Sequence, residues 1–277
     1  MSERQASNTA IGVAALRAYH QLFDDGTRVL DDPIAALLLG DEWVERMRVD
    51  AGRMDSPLAR GLRAHVVLRS RFAEDRLRAA VERGVGQYVL LGAGLDTFAY
   101  RQPAWATALR IIEVDQPASQ RTKRELLRRA GVVVPDNLSY AGVDFEHETL
   151  AEGLERCGVT RDLLTFFSWL GVTMYLTRAA IDAVLRTVST FPRGSEIALT
   201  FAQPPAPDDA GPRELARQAA EAGEPWVSYF TPEEMRAALR DAGFERVEFL
   251  SKEDAARYFD GSLLSAPRRV SIVAATV

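Results

Sequence analysis

Apolar residues Ala10, Ile11, Ala14, Ala15, Leu16 and Tyr19 recur at helical spacing across residues 8 to 22. The run Asp32-Pro33 followed by Ile34 to Leu39 then reads as a capped helix start with proline in its first turn. A third helix is predicted from Ser56-Pro57 to about Arg83, carried by Leu58, Leu62, Val66, Phe72, Leu77 and Val81 and stopped by Gly84 and Gly86. From Gln87 onward the pattern changes to short β-rich runs near 87–92, 109–114, 138–143, 163–169, 195–202, 244–250 and 270–276. Helical patterns near 117–130, 148–156, 178–190 and 231–241 fall between them, and a short helix-like stretch containing Tyr258 joins the last two strands. Thr231-Pro232-Glu233-Glu234 starts the fourth of these helices and Gly243 stops it. Alternation of this kind predicts an α/β fold with a mostly parallel seven-stranded sheet and crossover helices.

The proline-rich segment from Gln203 to Pro212 predicts a flexible loop without regular structure at the carboxyl end of a strand, because proline lacks the N–H donor and fixes φ. At 277 residues the chain is expected to form one domain: a helical cap over 1–84 and a core over 85–277, with a lid insertion at about 203–230. No internal repeat is visible.

The segment Gln87-Tyr-Val-Leu-Leu-Gly92-Ala-Gly94-Leu-Asp96-Thr97, followed by Ile111-Ile112-Glu113-Val114-Asp115, carries the chemistry. It reads as a buried strand breaking into a glycine turn, then a second strand ending in a carboxylate, the way an open α/β sheet builds a nucleoside pocket. Glycines let the backbone approach a ligand without a Cβ in the way, and a strand-end aspartate accepts hydrogen bonds from ribose hydroxyls. Asp115 is equally placed to cap the following helix. The third glycine of the dinucleotide fingerprint would fall at Thr97, which counts against a nicotinamide cofactor.

Val89-Leu-Leu-Gly-Ala-Gly-Leu-Asp-Thr-Phe-Ala-Tyr-Arg101 paired with Glu113-Val-Asp-Gln-Pro117 resembles the leucine carboxyl methyltransferase family of class I S-adenosylmethionine-dependent O-methyltransferases. Asp32-Pro33-Ile34-Ala35, Arg69-Ser-Arg-Phe-Ala-Glu-Asp75, Val143-Asp144-Phe145 and Gly171-Val-Thr-Met-Tyr-Leu176 extend the likeness to about residue 200. The resemblance implies a Rossmann-like sheet in the order 3-2-1-4-5-7-6 with the last strand antiparallel, and S-adenosylmethionine as cofactor. It further implies that Gly92 and Gly94 line the methionine part of the cofactor, that Asp115 holds the ribose, and that Asp144 and Phe145 sit by the adenine. An arginine before the first strand would pair with the cofactor's carboxylate, Arg69 being the first choice and Arg71 the second. Tyr175 either contacts the substrate or packs as core. The family commonly has glutamate where this chain has Leu170, close to the reacting end of the cofactor, so a peptide carboxylate substrate does not transfer directly.

Net charge of −5 gives no general attraction to nucleic acid or anionic lipid, and no run approaches the roughly 18 apolar residues of a membrane span. One cysteine, Cys157, excludes an internal disulfide framework and fits a cytoplasmic location. No metal is expected, since neither a His-Glu-x-x-His motif nor a cysteine pair is present. His20, His65 and His147 are the only histidines, and surface or packing roles are expected for all three. The expected partner is a small-molecule acceptor methylated on a carboxylate or hydroxyl in secondary metabolism. The alternatives are a non-catalytic S-adenosylmethionine-binding protein and an NAD-dependent oxidoreductase.

Overall fold

A computed structural model describes residues 8–143, 148–205 and 210–277. Five helices come first: α1 Asn8–Phe23, α2 Pro33–Leu39, α3 Asp41–Val49, α4 Ala51–Met54 and α5 Pro57–Glu82. The remainder alternates as β1 Gln87–Leu91, β2 Arg110–Asp115, α6 Pro117–Arg129, β3 Leu138–Gly142, α7 Leu150–Arg156, β4 Thr165–Trp169, α8 Arg178–Ser189 and β5 Glu196–Thr200. It closes with α9 Ala210–Glu221, α10 Pro232–Asp241, β6 Arg246–Phe249, α11 Lys252–Arg257 and β7 Ile272–Thr276.

The seven strands form one sheet in the order β3-β2-β1-β4-β5-β7-β6. β7 runs antiparallel to both β5 and β6, and the other pairs are parallel. The expected order and the reversed last strand are both present. β1, β4 and β5 are buried throughout, as strands covered on both faces must be, which is why they read as continuous apolar runs rather than alternations.

Successive residues of a strand point to opposite faces. Tyr88 and Leu90 therefore pack with Val67, Leu68, Phe72 and Leu77 of α5, while Val89 and Leu91 join Ile181, Val184 and Leu185 of α8 and Met235 and Leu239 of α10. Each fully buried Leu or Phe in these layers contributes about 1.5–3 kcal/mol. Leu77→Ala, beneath the sheet centre, would cost about 2–5 kcal/mol. A third cluster, Ala15, Ala18, Tyr19, Ala35 and Met47, binds α1, α2 and α3 to one another.

Two readings need correction. Residues 203–212 were expected to lack regular structure, yet α9 begins at Ala210 and includes Pro212. Proline costs nothing there, because the first-turn N–H groups of a helix have no intrahelical partner to lose. α3 also went unpredicted: only Met47 of its nine residues is buried, so it carries no apolar stripe to find. Among the described residues, no helix is long and apolar enough to cross a membrane.

Candidate functional site

The carboxyl ends of β1, β2 and β4 meet at one edge of the sheet, the place where open α/β sheets bind ligands. β1 ends in the turn Gly92-Ala93-Gly94, whose Gly92 and Ala93 N–H groups both donate to Val114 O of β2 at 2.8 and 3.1 Å. Gly92 adopts φ +65°, and a Cβ there would come within 2.5 Å of a Val172 methyl carbon. This glycine is thus demanded by the backbone and by the β4 loop packed over it. Gly94 is demanded by its φ of +48° alone, for a Cβ there would make only ordinary contact with the Ala10 methyl.

Asp115 ends β2 and braces this turn. Its Oδ2 accepts from Gly94 N, and its Oδ1 accepts from Gln116 N at 2.7 Å. One N–H on each oxygen leaves further lone pairs for ribose hydroxyls, so the bracing and binding roles are compatible. Burial raises the Asp115 carboxyl above its ordinary range, and the two N–H donors work against that rise. Glu113 shares the face but not the task. It is buried in an ion pair with Lys123 at 2.7 Å, beside the Tyr100 hydroxyl, which separates it from the ribose position. Burial holds its carboxyl above the ordinary range.

The two candidate arginines on α5 part company. Arg71 is exposed and pairs with Asp75 one turn on, at 2.9 Å. Arg69 faces inward, with its guanidinium against Gly171 so closely that a Cβ there would lie 2.5 Å from Nη1. Gly171 has φ +74°, so sterics and backbone both exclude a larger residue. Arg69 makes no hydrogen bond or ion pair with any described residue. Burial and the charge of Arg17 push its guanidinium down to about 10, while Tyr175 and Asp96 favour its charge. A buried cation without a counter-ion is costly, and a bound carboxylate would relieve that cost.

Around these groups lies a frame that sequence reading left unassigned. Arg17 of α1 pairs with the buried Asp32 at 2.8 Å and donates to Leu95 O at 2.5 Å, tying α1 to the glycine turn. Asp32 also caps α2 through Ala35 N at 3.1 Å, which explains the Asp32-Pro33 string. Arg101, the last residue of the glycine-turn string, is buried against Glu74 and donates to Thr97 Oγ1 at 3.0 Å. Asp115 likewise needs a partner distant in sequence, and neither pairing has a local signal.

Tyr175 lies in a turn after β4, half-buried beside Thr9 and Trp226 and within the field of Arg69. Burial raises its hydroxyl above the ordinary range. Leu170 packs against the α5 side of the sheet next to Gly171, an apolar wall at the position where the family has glutamate. Asp144, Phe145 and His147 lie outside the described residues. Among the described residues, no group of three or more His, Cys, Asp or Glu side chains is placed to hold a metal.

These residues fit the cofactor: a glycine turn open to backbone approach, a strand-end carboxylate with spare lone pairs, and a guanidinium against the β4 loop without an ion pair among the described residues. Comparison with known proteins agrees. The family model for leucine carboxyl methyltransferase matches residues 10–189. YktD of Bacillus subtilis (strain 168), which carries the name of an S-adenosyl-L-methionine-dependent methyltransferase, is 30% identical over 92% of this chain and 91% of its own length. FRAAL3718 of Frankia alni, similarly named, is 30% identical over 90% of this chain and 86% of its own. A DUF574 family protein from Streptomyces avermitilis shares the fold with a TM-score of 0.60 at 17% identity, covering 98% of this chain and 97% of that one. A methyltransferase structure from Thermobifida fusca gives 0.59 at 19% identity over 98% and 94%. The chain therefore belongs to the leucine carboxyl methyltransferase family and is an S-adenosylmethionine-dependent methyltransferase.

Proposed function

We propose that this chain transfers a methyl group from S-adenosylmethionine to an oxygen, carboxylate or hydroxyl, of a small molecule in secondary metabolism. The observation that carries the reading is Arg69, a cation without a counter-ion at the carboxyl edge of the sheet, beside the turn braced by Asp115. In this reading Arg69 holds the cofactor's carboxylate, Gly92 and Gly94 line its methionine part, and Asp115 holds its ribose. Asp144 and Phe145 are assigned to the adenine on family resemblance alone. When bound, the cofactor supplies an electrophilic methyl group on a sulfonium.

The chain's own task is alignment and exclusion of water, because an in-line displacement gains most from holding the two reacting atoms in register. α1, anchored by Arg17 to Leu95 O, and the segment around Trp226 form the walls that keep solvent out. Leu170 supports a small apolar acceptor over a peptide carboxylate. It also supports a second reading, a protein that binds the cofactor without turning it over.

Calorimetric titration with S-adenosylmethionine and S-adenosylhomocysteine, with Asp115→Ala as control, comes first. Transfer of labelled methyl to a panel of small acids and hydroxyl compounds then decides. Base-labile label identifies an ester and base-stable label an ether. Cofactor binding with label in no small molecule would sink the proposal and favour the second reading.

A further inference from the structure

His65 stands one turn before Arg69 on α5, and residues four apart share a helix face. It was expected to serve the surface or the core, and it stands half-buried between the two. It lies deep in the fold yet keeps accessible surface, as Arg69 does, and it makes no hydrogen bond with any described residue. A neutral imidazole has one donor and one acceptor nitrogen, and both are unused here. Beside Tyr175, whose hydroxyl acts on Arg69, lies a second unused group. Trp226 Nε1 is buried against the Tyr175 hydroxyl and finds no partner of hydrogen-bonding geometry.

The charges around these groups select the acceptor. In the reading above, the cofactor's carboxylate takes up Arg69. Arg17, the cation beside it, is already committed to Asp32 and Leu95 O. Asp96 acts on Arg69, and Glu224 acts on Tyr175, both as negative charges. An anionic acceptor would therefore meet two carboxylates and no uncommitted cation of this chain, its one opposite charge being the cofactor's sulfonium, which is lost as the methyl group leaves. A neutral hydroxyl meets no such penalty, and it brings the proton that an unused imidazole nitrogen can accept. The ring of Tyr229 lies 6.2 Å from that of Trp226, so the wall offers aromatic surface.

Resting on the small-molecule O-methylation reading, we propose that the site takes an aromatic molecule through its neutral hydroxyl, and that His65 accepts the hydroxyl proton. The bond formed joins the acceptor oxygen to the methyl carbon. The bond broken joins that carbon to sulfur, which keeps the electron pair, and the proton passes to the free ring nitrogen of His65 and then to water. Burial, and then the charge of Arg69, lower the imidazole to about 3, so it is neutral and able to accept at neutral pH. A weak base suffices, because the hydroxyl becomes a strong acid only as its oxygen gains the methyl group.

The test compares 2-naphthol with 2-naphthoate, which differ at the reacting group, on full-length protein saturated with S-adenosylhomocysteine. Calorimetry should show 2-naphthol bound at least tenfold more tightly than 2-naphthoate. In nitrogen-15 spectra, the His65 ring resonance, assigned by its loss in His65→Gln, should move with 2-naphthol. His65→Phe should bind 2-naphthol at least tenfold more weakly with S-adenosylhomocysteine affinity unchanged. Equal or tighter binding of 2-naphthoate, no binding of either compound, or an unaffected His65→Phe would each overturn the proposal. So would loss of S-adenosylhomocysteine binding in both His65 variants, which would place the residue in the cofactor pocket. Methylation of small carboxylic acids alone would overturn it too while leaving the O-methylation reading standing. Label confined to nitrogen or sulfur acceptors would remove that reading itself.

Discussion

Arg69 and Arg76 sit two helical turns apart on one face of α5, yet the two ends of the sheet treat them oppositely. At the amino end, the fully buried Glu196 accepts from Arg76 at 2.5 Å and from Arg83 at 2.7 Å. Nearby, Gln87 donates to Thr165 Oγ1 at 2.9 Å and accepts from Thr160 N at 3.2 Å, so its amide is used at both atoms. At the carboxyl end Arg69, His65 and Trp226 Nε1 have no hydrogen-bond partner among the described residues. Buried polar groups are normally satisfied, because leaving one bare costs about 1–3 kcal/mol and more for a charge. The amino end has spent its charged groups on folding, leaving Thr276 Oγ1 as a buried hydroxyl without a partner, whereas the carboxyl end keeps a cation and an imidazole unspent.

The sharpest way to break this contrast is Glu196→Ala, which takes the shared buried carboxylate from two arginines and leaves Arg76 only the exposed Glu248. We expect about 3 kcal/mol lost from unfolding free energy in denaturant titration, with cofactor affinity of the folded protein unchanged. Arg69→Met should do the reverse, weakening S-adenosylhomocysteine about 100-fold in calorimetry, on the order of 2.7 kcal/mol, with no loss of thermal stability. Should Arg69→Met melt early instead, Arg69 is a structural cation like Arg76 and the contrast fails.

The fold was readable because its signals are local. Tyr88, Leu90, Val89 and Leu91 fill both faces of β1 and read as an unbroken apolar run, and Thr231-Pro232-Glu233-Glu234 forms the capping box its spelling announces. The glycine turn after β1 and the place of Asp115 at the end of β2 were readable for the same reason, but not the contact between them. Choosing Arg69 over Arg71 was harder, since only the packing of α5 on the β4 loop shows which one meets Gly171. Nothing in the sequence shows that His65 and Trp226 Nε1 are left without hydrogen-bond partners. Their interest lies in what they fail to touch, and that is a property of the assembled fold.

Gly171→Ala sharpens the comparison without altering a charge. A methyl group at φ +74° would press on the Arg69 guanidinium, so we expect cofactor affinity to drop about tenfold and stability by about 1 kcal/mol. Equal affinity with reduced stability would show that Arg69 tolerates displacement. A last effect, read against pH rather than at one pH, is acid sensitivity at His65. Its imidazole titrates near 6.5 in the unfolded chain and at about 3 in the folded one. The unfolded state therefore binds more protons between these values. Stability from this residue is complete above pH 6.5 and declines as pH falls toward 3, by at most about 1.4 kcal/mol per pH unit. His65→Gln should flatten that decline in acid unfolding curves, and an unchanged slope would mean that solvent reaches the ring freely.

β7 inserts between β5 and β6, so β6 has no other neighbour in the sheet. Strands β1 to β5 are all present in the chain by Thr200, but the far flank waits for residues 272–276. Phe201 N donates to Ser271 O, and Gly194 N to Val277 O, so both ends of β5 are fastened by the same late segment. For a chain emerging from the ribosome, β5 presents an open hydrogen-bonding edge until residues 272–276 have followed it. The interval between those two events is when a nascent copy is most exposed to pairing with another, and chaperone demand should track the length of chain between Thr200 and Ile272 rather than the stability of the finished protein.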